Sequence, residues 1–117
     1  FREVNKTKAR GLIKVCLLNQ AACLLRVGEF ARACAPCGEV LAMGAHNVKA
    51  LYRRAKAEFE LGLLTECLDD CSRASAVEPR NIEVLRLVEL ARARLGLVPG
   101  LAMFHGRLIG GSLGEWI

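Results

Sequence analysis

Shifting the sequence by 34 residues lays one segment of it onto another. Leu17 falls on Leu51, Ala21 on Ala55, Gly28 on Gly62, Ala33 on Cys67 and Cys37 on Cys71. An internal period of this length signals stacked units, because each unit is too small to bury its apolar face alone. Each segment reads as helix, short turn, helix. The apolar spacing predicts helices over about 6–26 and 30–43 in the first unit, and over about 47–61 and 64–77 in the second. Repeats of about 14–47 and 48–81 follow.

The residue types at the matched positions have physical reasons. Ala21 and Ala55 fall where the two helices of a pair cross most closely, so a bulky side chain there would force them apart. Gly28 and Gly62 end the first helix of each pair, since glycine accepts the left-handed conformation at a helix C-terminus. Pro79 closes the second pair, and Asn81 is positioned to cap a further helix over about 82–95. That helix carries Leu85, Val88, Leu90 and Leu95, but Glu89 stands where the repeat has Ala55. It is therefore expected to be a capping helix that covers the last apolar face of the stack. The expected fold is an all-α, right-handed superhelix of antiparallel helix pairs spanning residues 1–97. Residues 98–117 form an extension, with Leu101, Phe104 and Leu108 on a short helix and fraying expected around Gly110, Gly111 and Gly114.

Composition agrees with helices and narrows the function. Of 117 residues, 53% are hydrophobic but only 5% aromatic, and the net charge is +5. A basic chain can bind nucleic acid, acidic lipid or an acidic peptide. Nucleic-acid binding calls for aromatic platforms or a dense basic stripe. Here the cations are dispersed, and Tyr52 and Trp116 are the sole tyrosine and tryptophan, so no nucleic-acid partner is expected. Charges interrupt every apolar run before it reaches membrane-spanning length, so no membrane partner is expected either. The chain opens on Phe1-Arg2-Glu3, which is not a signal peptide and reads as a start within something longer.

Six cysteines (Cys16, Cys23, Cys34, Cys37, Cys67 and Cys71) lie inside helical patterns among Ala and Leu. In a reducing compartment such cysteines act as small buried hydrophobes, and the chain is read as cytoplasmic. Cys34-Ala35-Pro36-Cys37 has the spacing of a redox motif. Those motifs sit at a helix N-terminus after a strand, and no strand precedes this one. With Cys67 and Cys71 it could instead supply four zinc ligands. Packing is the expected role, with neither metal nor cofactor. His46 and His105 are far apart in sequence and no nucleophile and base occur together, so this chain is not expected to be an enzyme. Pro36, inside the second helix, is expected to kink it.

A period of 34, small residues at helix crossings and Pro at a repeat's end make up the tetratricopeptide pattern. Leu17-Leu18-Asn19-Gln20-Ala21-Ala22-Cys23 and Asn47-Val48-Lys49-Ala50-Leu51-Tyr52-Arg53-Arg54-Ala55 resemble the second and third repeats of the large immunophilin co-chaperones. These are prolyl isomerases of the FK506-binding-protein and cyclophilin-40 types that carry a repeat domain behind the catalytic one. The resemblance covers about residues 5–95, and Met103-Phe104 is similar to the end of that family's final helix. The chain departs from the family in placing Phe59 one position beyond the usual aromatic, where Glu58 stands. It also begins after the family's first repeat and has no room for an isomerase domain.

The spacing singles out a site. Asn19 and Arg53 occupy equivalent places in adjacent repeats, on the helices that line a stack's concave face. Lys49 lies one turn before Arg53 on the same side. Like charges at this spacing cost a helix a few tenths of a kcal/mol, whereas each charge-assisted hydrogen bond to an acidic ligand returns roughly 1.5–3 kcal/mol. Three such bonds would supply much of a micromolar affinity, about −8 kcal/mol. The resemblance implies the ligand: the acidic Glu-Glu-Val-Asp C-terminus of the Hsp90 chaperone, or that of Hsp70. It also implies that Asn19, Lys49 and Arg53 are half of a carboxylate clamp whose other Lys and Asn sit in the absent repeat. Lys56 and Arg54 are secondary candidates, and Arg54 is expected to face the packing side. The tail is also compatible with a calmodulin target, a reading the resemblance allows, although only His105 and Arg107 give it positive character. The uncovered face of the first helix is expected to drive self-association or the borrowing of a neighbour's helix. A repeat scaffold for an unrelated partner and a cysteine-based zinc or redox protein are the alternatives.

Overall fold

The computed structural model describes residues 3–97, and among them it places five helices and no strand. They are α1 (Glu3–Arg26), α2 (Phe30–Met43), α3 (Val48–Glu60), α4 (Leu64–Val77) and α5 (Ile82–Leu95). Each helix packs on its neighbour in sequence, α1 also meets α3, and α3 meets α5. Two antiparallel hairpins are thus stacked side by side, with their first helices adjacent along one face. The expected tail helix around Leu101, Phe104 and Leu108 lies outside the described residues, as do His105 and the glycines beyond it.

The helix ends repeat with the same period as the core. Asn47 and Asn81 hold extended backbone, and their side chains accept hydrogen bonds from Ala50 N at 3.0 Å and Val84 N at 3.1 Å. Each cap satisfies one of the free amides of a helix start. Gly28, Gly62 and Gly96 all adopt positive φ, between 74° and 81°. At each, the glycine amide bonds back three residues and the next amide bonds back five, as in Gly62 N to Phe59 O (3.1 Å) and Leu63 N to Glu58 O (2.8 Å). This is the Schellman closure. Its third occurrence, at Gly96, gives α5 both end signals of a repeat's first helix. That goes beyond the simple cap that Glu89 suggested.

Small side chains occupy the helix crossings. Leu51, Ala55, Phe59, Cys67, Cys71, Ala74, Val84, Leu87 and Ala91 form one buried cluster. Ala21, Cys37, Val40 and Ala50 form a second, and Leu41 packs against both. Pro36 does not interrupt α2, which continues through it with the ring buried. Proline removes one backbone donor there, and the rest of the helix holds. On α5, Leu85 occupies the place of Leu51 but is 44% exposed where Leu51 is 1%. Glu89, in the place of Ala55, is exposed too.

A charged cluster joins α3 to α4. Arg54 donates from Nε to Asp70 Oδ2 at 2.7 Å and from its terminal nitrogen to Asp70 Oδ1 at 2.8 Å. Asp70 is buried, and this two-pronged bond satisfies it. Glu58, one turn along from Arg54, is buried as well, with Oε2 3.8 Å from Arg54 Nε and Oε1 lacking a partner. Burial, then a hydrogen bond and charge repulsion from Asp70, push its carboxyl up to about 8, against the pull of Arg54. Phe59 enters the core beside Glu58 and lies under the Arg94 guanidinium, 4.1 Å from the ring centre. The shift of the aromatic by one position thus leaves the family's aromatic site to a carboxyl.

Two outcomes follow from these contacts. No atom lies within 4 Å of a Cβ built on Gly62, so Gly62→Ala meets only the backbone cost of positive φ. It should destabilise the chain by about 1–2 kcal/mol in urea unfolding, and an unchanged midpoint would contradict the turn's role. The folded chain holds a proton on Glu58 between the ordinary 4.5 and about 8 that the unfolded chain has released. The stability this gives is complete below the lower value and is lost as pH rises through the upper one. Glu58→Gln should flatten that loss and exceed the parent in unfolding free energy at about pH 9. Parallel stability–pH curves for the two proteins would refute it.

Candidate peptide-binding groove

Helices α1 and α3 carry the candidate residues, and their adjacency follows from the stacking of equivalent helices. Arg53 is half-buried, and its Nη1 donates to Leu18 O at 2.8 Å. That carbonyl belongs to the residue just before Asn19, so the guanidinium lies at the α1–α3 seam beside Asn19. The bond uses one of the five guanidinium donors. It fixes the long side chain across the seam and lowers the entropy a ligand would have to remove.

Asn19 and Lys49 are both exposed. Among the described residues no salt bridge engages Lys49 or Arg53. Asn47 starts α3 two residues before Lys49, so the lysine lies in the first turn, where the helix dipole also favours an anion. Asn19, Arg53 and Lys49 thus form a short polar run from the middle of α1 to the start of α3.

The secondary candidates separate. Lys56 is exposed two turns beyond Lys49 on the same side of α3, with its ammonium 6.0 Å from the Tyr52 ring centre. Arg54 is held by Asp70 within the second hairpin, away from the seam, as its packing-side position suggested. Its partner was the part not foreseen from sequence. Asp70 is sixteen residues further on and joins Arg54 only once α4 folds back.

The cysteines divide by burial. Cys37, Cys67 and Cys71 are buried, Cys34 is half-buried with its thiol 3.6 Å from Phe30 O, and Cys16 and Cys23 are exposed. Burial pushes the Cys37 thiol up to about 11, and a hydrogen bond with Cys67, followed by burial, lifts Cys71 well above the usual range while the same bond draws Cys67 down. Raised thiols such as Cys37 and Cys71 stay protonated and are poor nucleophiles. Among the described residues no three His, Cys, Asp or Glu side chains are grouped to hold a metal ion. No helix of these residues is long and apolar enough to cross a membrane.

No protein-family model matches the chain. Outer envelope protein 61 of Arabidopsis thaliana is 32% identical over 103 residues, covering 87% of this chain and 19% of that protein. Protein unc-45 homolog B of Mus musculus is 35% identical over 75 residues, covering 64% of the chain and 8% of that protein. The peptidyl-prolyl cis-trans isomerase FKBP42 of Arabidopsis thaliana is 38% identical over 71 residues, covering 61% of the chain and 20% of that protein. The chain therefore spans a fifth or less of the length of these relatives. Among solved structures, the C-terminal TPR-containing domain of an FK506-binding protein from Plasmodium falciparum superposes with a TM-score of 0.77. That match has 26% identity and covers 82% of this chain and 64% of the other. With its period of 34, its paired helices and these likenesses, the chain is a tetratricopeptide-repeat domain that resembles the repeat domain of FK506-binding-protein-type immunophilins.

Proposed function

We propose that this domain binds the acidic C-terminal tail of an Hsp90- or Hsp70-type chaperone, as the co-chaperone part of a larger immunophilin. Asn19, Lys49 and Arg53 receive the tail's carboxylates, with Lys56 at the edge of the groove. The observation that supports this most is the Arg53–Leu18 bond. It holds a guanidinium beside Asn19, with an exposed ammonium one turn away, where none is neutralised by a carboxylate of the described residues. The Arg53–Leu18 bond ties the two helices but leaves the other guanidinium donors and the Lys49 ammonium unmatched by a carboxylate, and an acidic peptide gains charge-assisted bonds from them.

The chain's own contribution is recognition, and any isomerase activity belongs to a catalytic domain elsewhere in the parent protein. The family's second Lys and Asn have no counterpart in this chain, so its three residues supply one half of the grip. The reducing cytoplasm is the compartment that suits both the free thiols and a chaperone partner.

Calorimetry with a peptide ending in Glu-Glu-Val-Asp tests this reading, on the parent protein and on the isolated chain. The parent should bind in the micromolar range, more weakly as salt rises. Arg53→Ala and Lys49→Ala should each weaken binding by about tenfold or more. Arg54→Ala should alter stability instead. Equal binding by wild type and both groove variants would remove the clamp, and indifference of the parent to the peptide would point to a repeat scaffold for a partner of other chemistry.

A further inference from the structure

A cavity of about 370 Å³ lies between α3 and α4, and none of the groove residues lines it. Its wall carries four carboxyl side chains, Glu58, Glu66, Asp69 and Asp70, against the two guanidinium groups of Arg54 and Arg73. Two of the four are committed. Asp70 takes both prongs of Arg54, and Asp69 faces Arg73 at 3.1 Å. Glu66 accepts from the Thr65 hydroxyl at 3.0 Å and takes part in no salt bridge among the described residues. Glu58 is only 9% exposed, and its Oε1 has no hydrogen-bond partner.

The repeat does not need this polarity. A shift of 34 lays Arg54, Glu58 and Asp70 on Gln20, Leu24 and Pro36. The first hairpin closes with those residues, and among the described residues no salt bridge joins its helices. A buried carboxyl with a bare oxygen costs stability that a leucine in its place would not. A ligand that donates to that oxygen removes the cost. Both uncommitted groups are acceptors, so the ligand is a donor, and the surplus of carboxyls makes it a cation. A metal ion is a poor match, since no three donor side chains of the described residues are grouped to hold one. A guanidinium fits, because its planar fork of five N–H donors can serve two carboxyls at once. At the rim the Asp69 and Arg73 side chains are 61% and 59% exposed, so the cavity is open to water. A free cation gains little in so open a site. An arginine carried on a polypeptide is held there by the contacts of its own chain as well.

We infer that this cavity is a binding site for an arginine side chain presented by another polypeptide, whose guanidinium donates to Glu58 and Glu66. Burial and Asp70 hold a proton on Glu58 up to about 8, against the pull of Arg54. The other titratable groups that share its surroundings are the thiols of Cys34 on α2 and of Cys67 and Cys71 on α4. A guanidinium favours the ionised carboxyl, so binding releases that proton and tightens as pH rises. The test titrates the intact chain with a blocked Gly-Arg-Gly peptide and with its neutral citrulline counterpart. The side-chain carboxyl carbons of Glu58 and Glu66 are followed by NMR. The arginine peptide should shift both in a saturable way, with an affinity on the order of millimolar, and the citrulline peptide should shift neither. Binding should be about tenfold tighter at pH 9 than at pH 6. Glu58→Gln keeps an acceptor but has no proton to lose, and it should bind without that pH dependence. Glu66→Gln, at an exposed position in the first turn of α4, should weaken binding by about tenfold. Lys49→Ala should leave binding unchanged, which separates this site from the groove. An equal response to the two peptides, no shift at either carboxyl, undiminished binding by Glu66→Gln, a pH dependence that persists in Glu58→Gln, or loss of the response in Lys49→Ala overturns the proposal.

Discussion

The whole arrangement depends on how closely two helices approach at Ala21 and Ala55. Both are fully buried, and a side chain larger than a methyl group at either would separate a hairpin's helices by more than its thin core can fill. The buried set is dominated by Ala and Cys, with Leu51, Val40 and Val84 as its largest fully buried members. Such a core offers little area per residue, so stability comes from repeating a close contact rather than from one large apolar centre. The turn at every 34th residue keeps that contact in register. Gly28, Gly62 and Gly96 close their helices with the same pair of hydrogen bonds, which fixes the angle at which the chain leaves each first helix.

The proposed groove is a consequence of this spacing. Equivalent first helices lie side by side, so a residue on α1 and the residue 34 later on α3 become neighbours across a seam. Arg53 spans it to the carbonyl of Leu18. Nearby on the same helix, Arg54 is turned by about a third of a helical circle and meets Asp70 instead. Two adjacent arginines thus have separate tasks. One crosses the seam to a backbone carbonyl of α1, and the other ties α3 to α4. The cost of that tie appears at Glu58, a buried carboxyl left with an unbonded oxygen because Asp70 takes the guanidinium.

Much of this was legible in the sequence, and the reasons differ by feature. The starts and ends of α2, α4 and α5 are written in local signals: Gly28 and Gly62 before α2 and α4, and Asn81 before α5. The neighbourhood of Asn19 and Arg53 followed from the period, since a translation in sequence becomes a translation in space. Pro36 lies inside α2, which runs through it, because a proline within a helix removes one backbone bond but need not end the helix. The third Schellman turn at Gly96 was legible, 34 residues after Gly62, but Glu89 drew attention to what the last helix lacks. Asp70 as the partner of Arg54 was not legible, because sixteen residues and a reversal of direction separate them.

The sequence by itself determined the repeat, the helix pairs, the capping residues and the basic character of α1 and of the groove. These are properties of spacing and residue type, and spacing survives without coordinates. Only the tertiary structure decided which of two like cysteines is open and which is closed, which arginine is committed, and that Arg53 reaches a backbone carbonyl across the seam. Those outcomes depend on which face of a helix has a neighbour. A helix presents all its faces alike until another element packs against one of them.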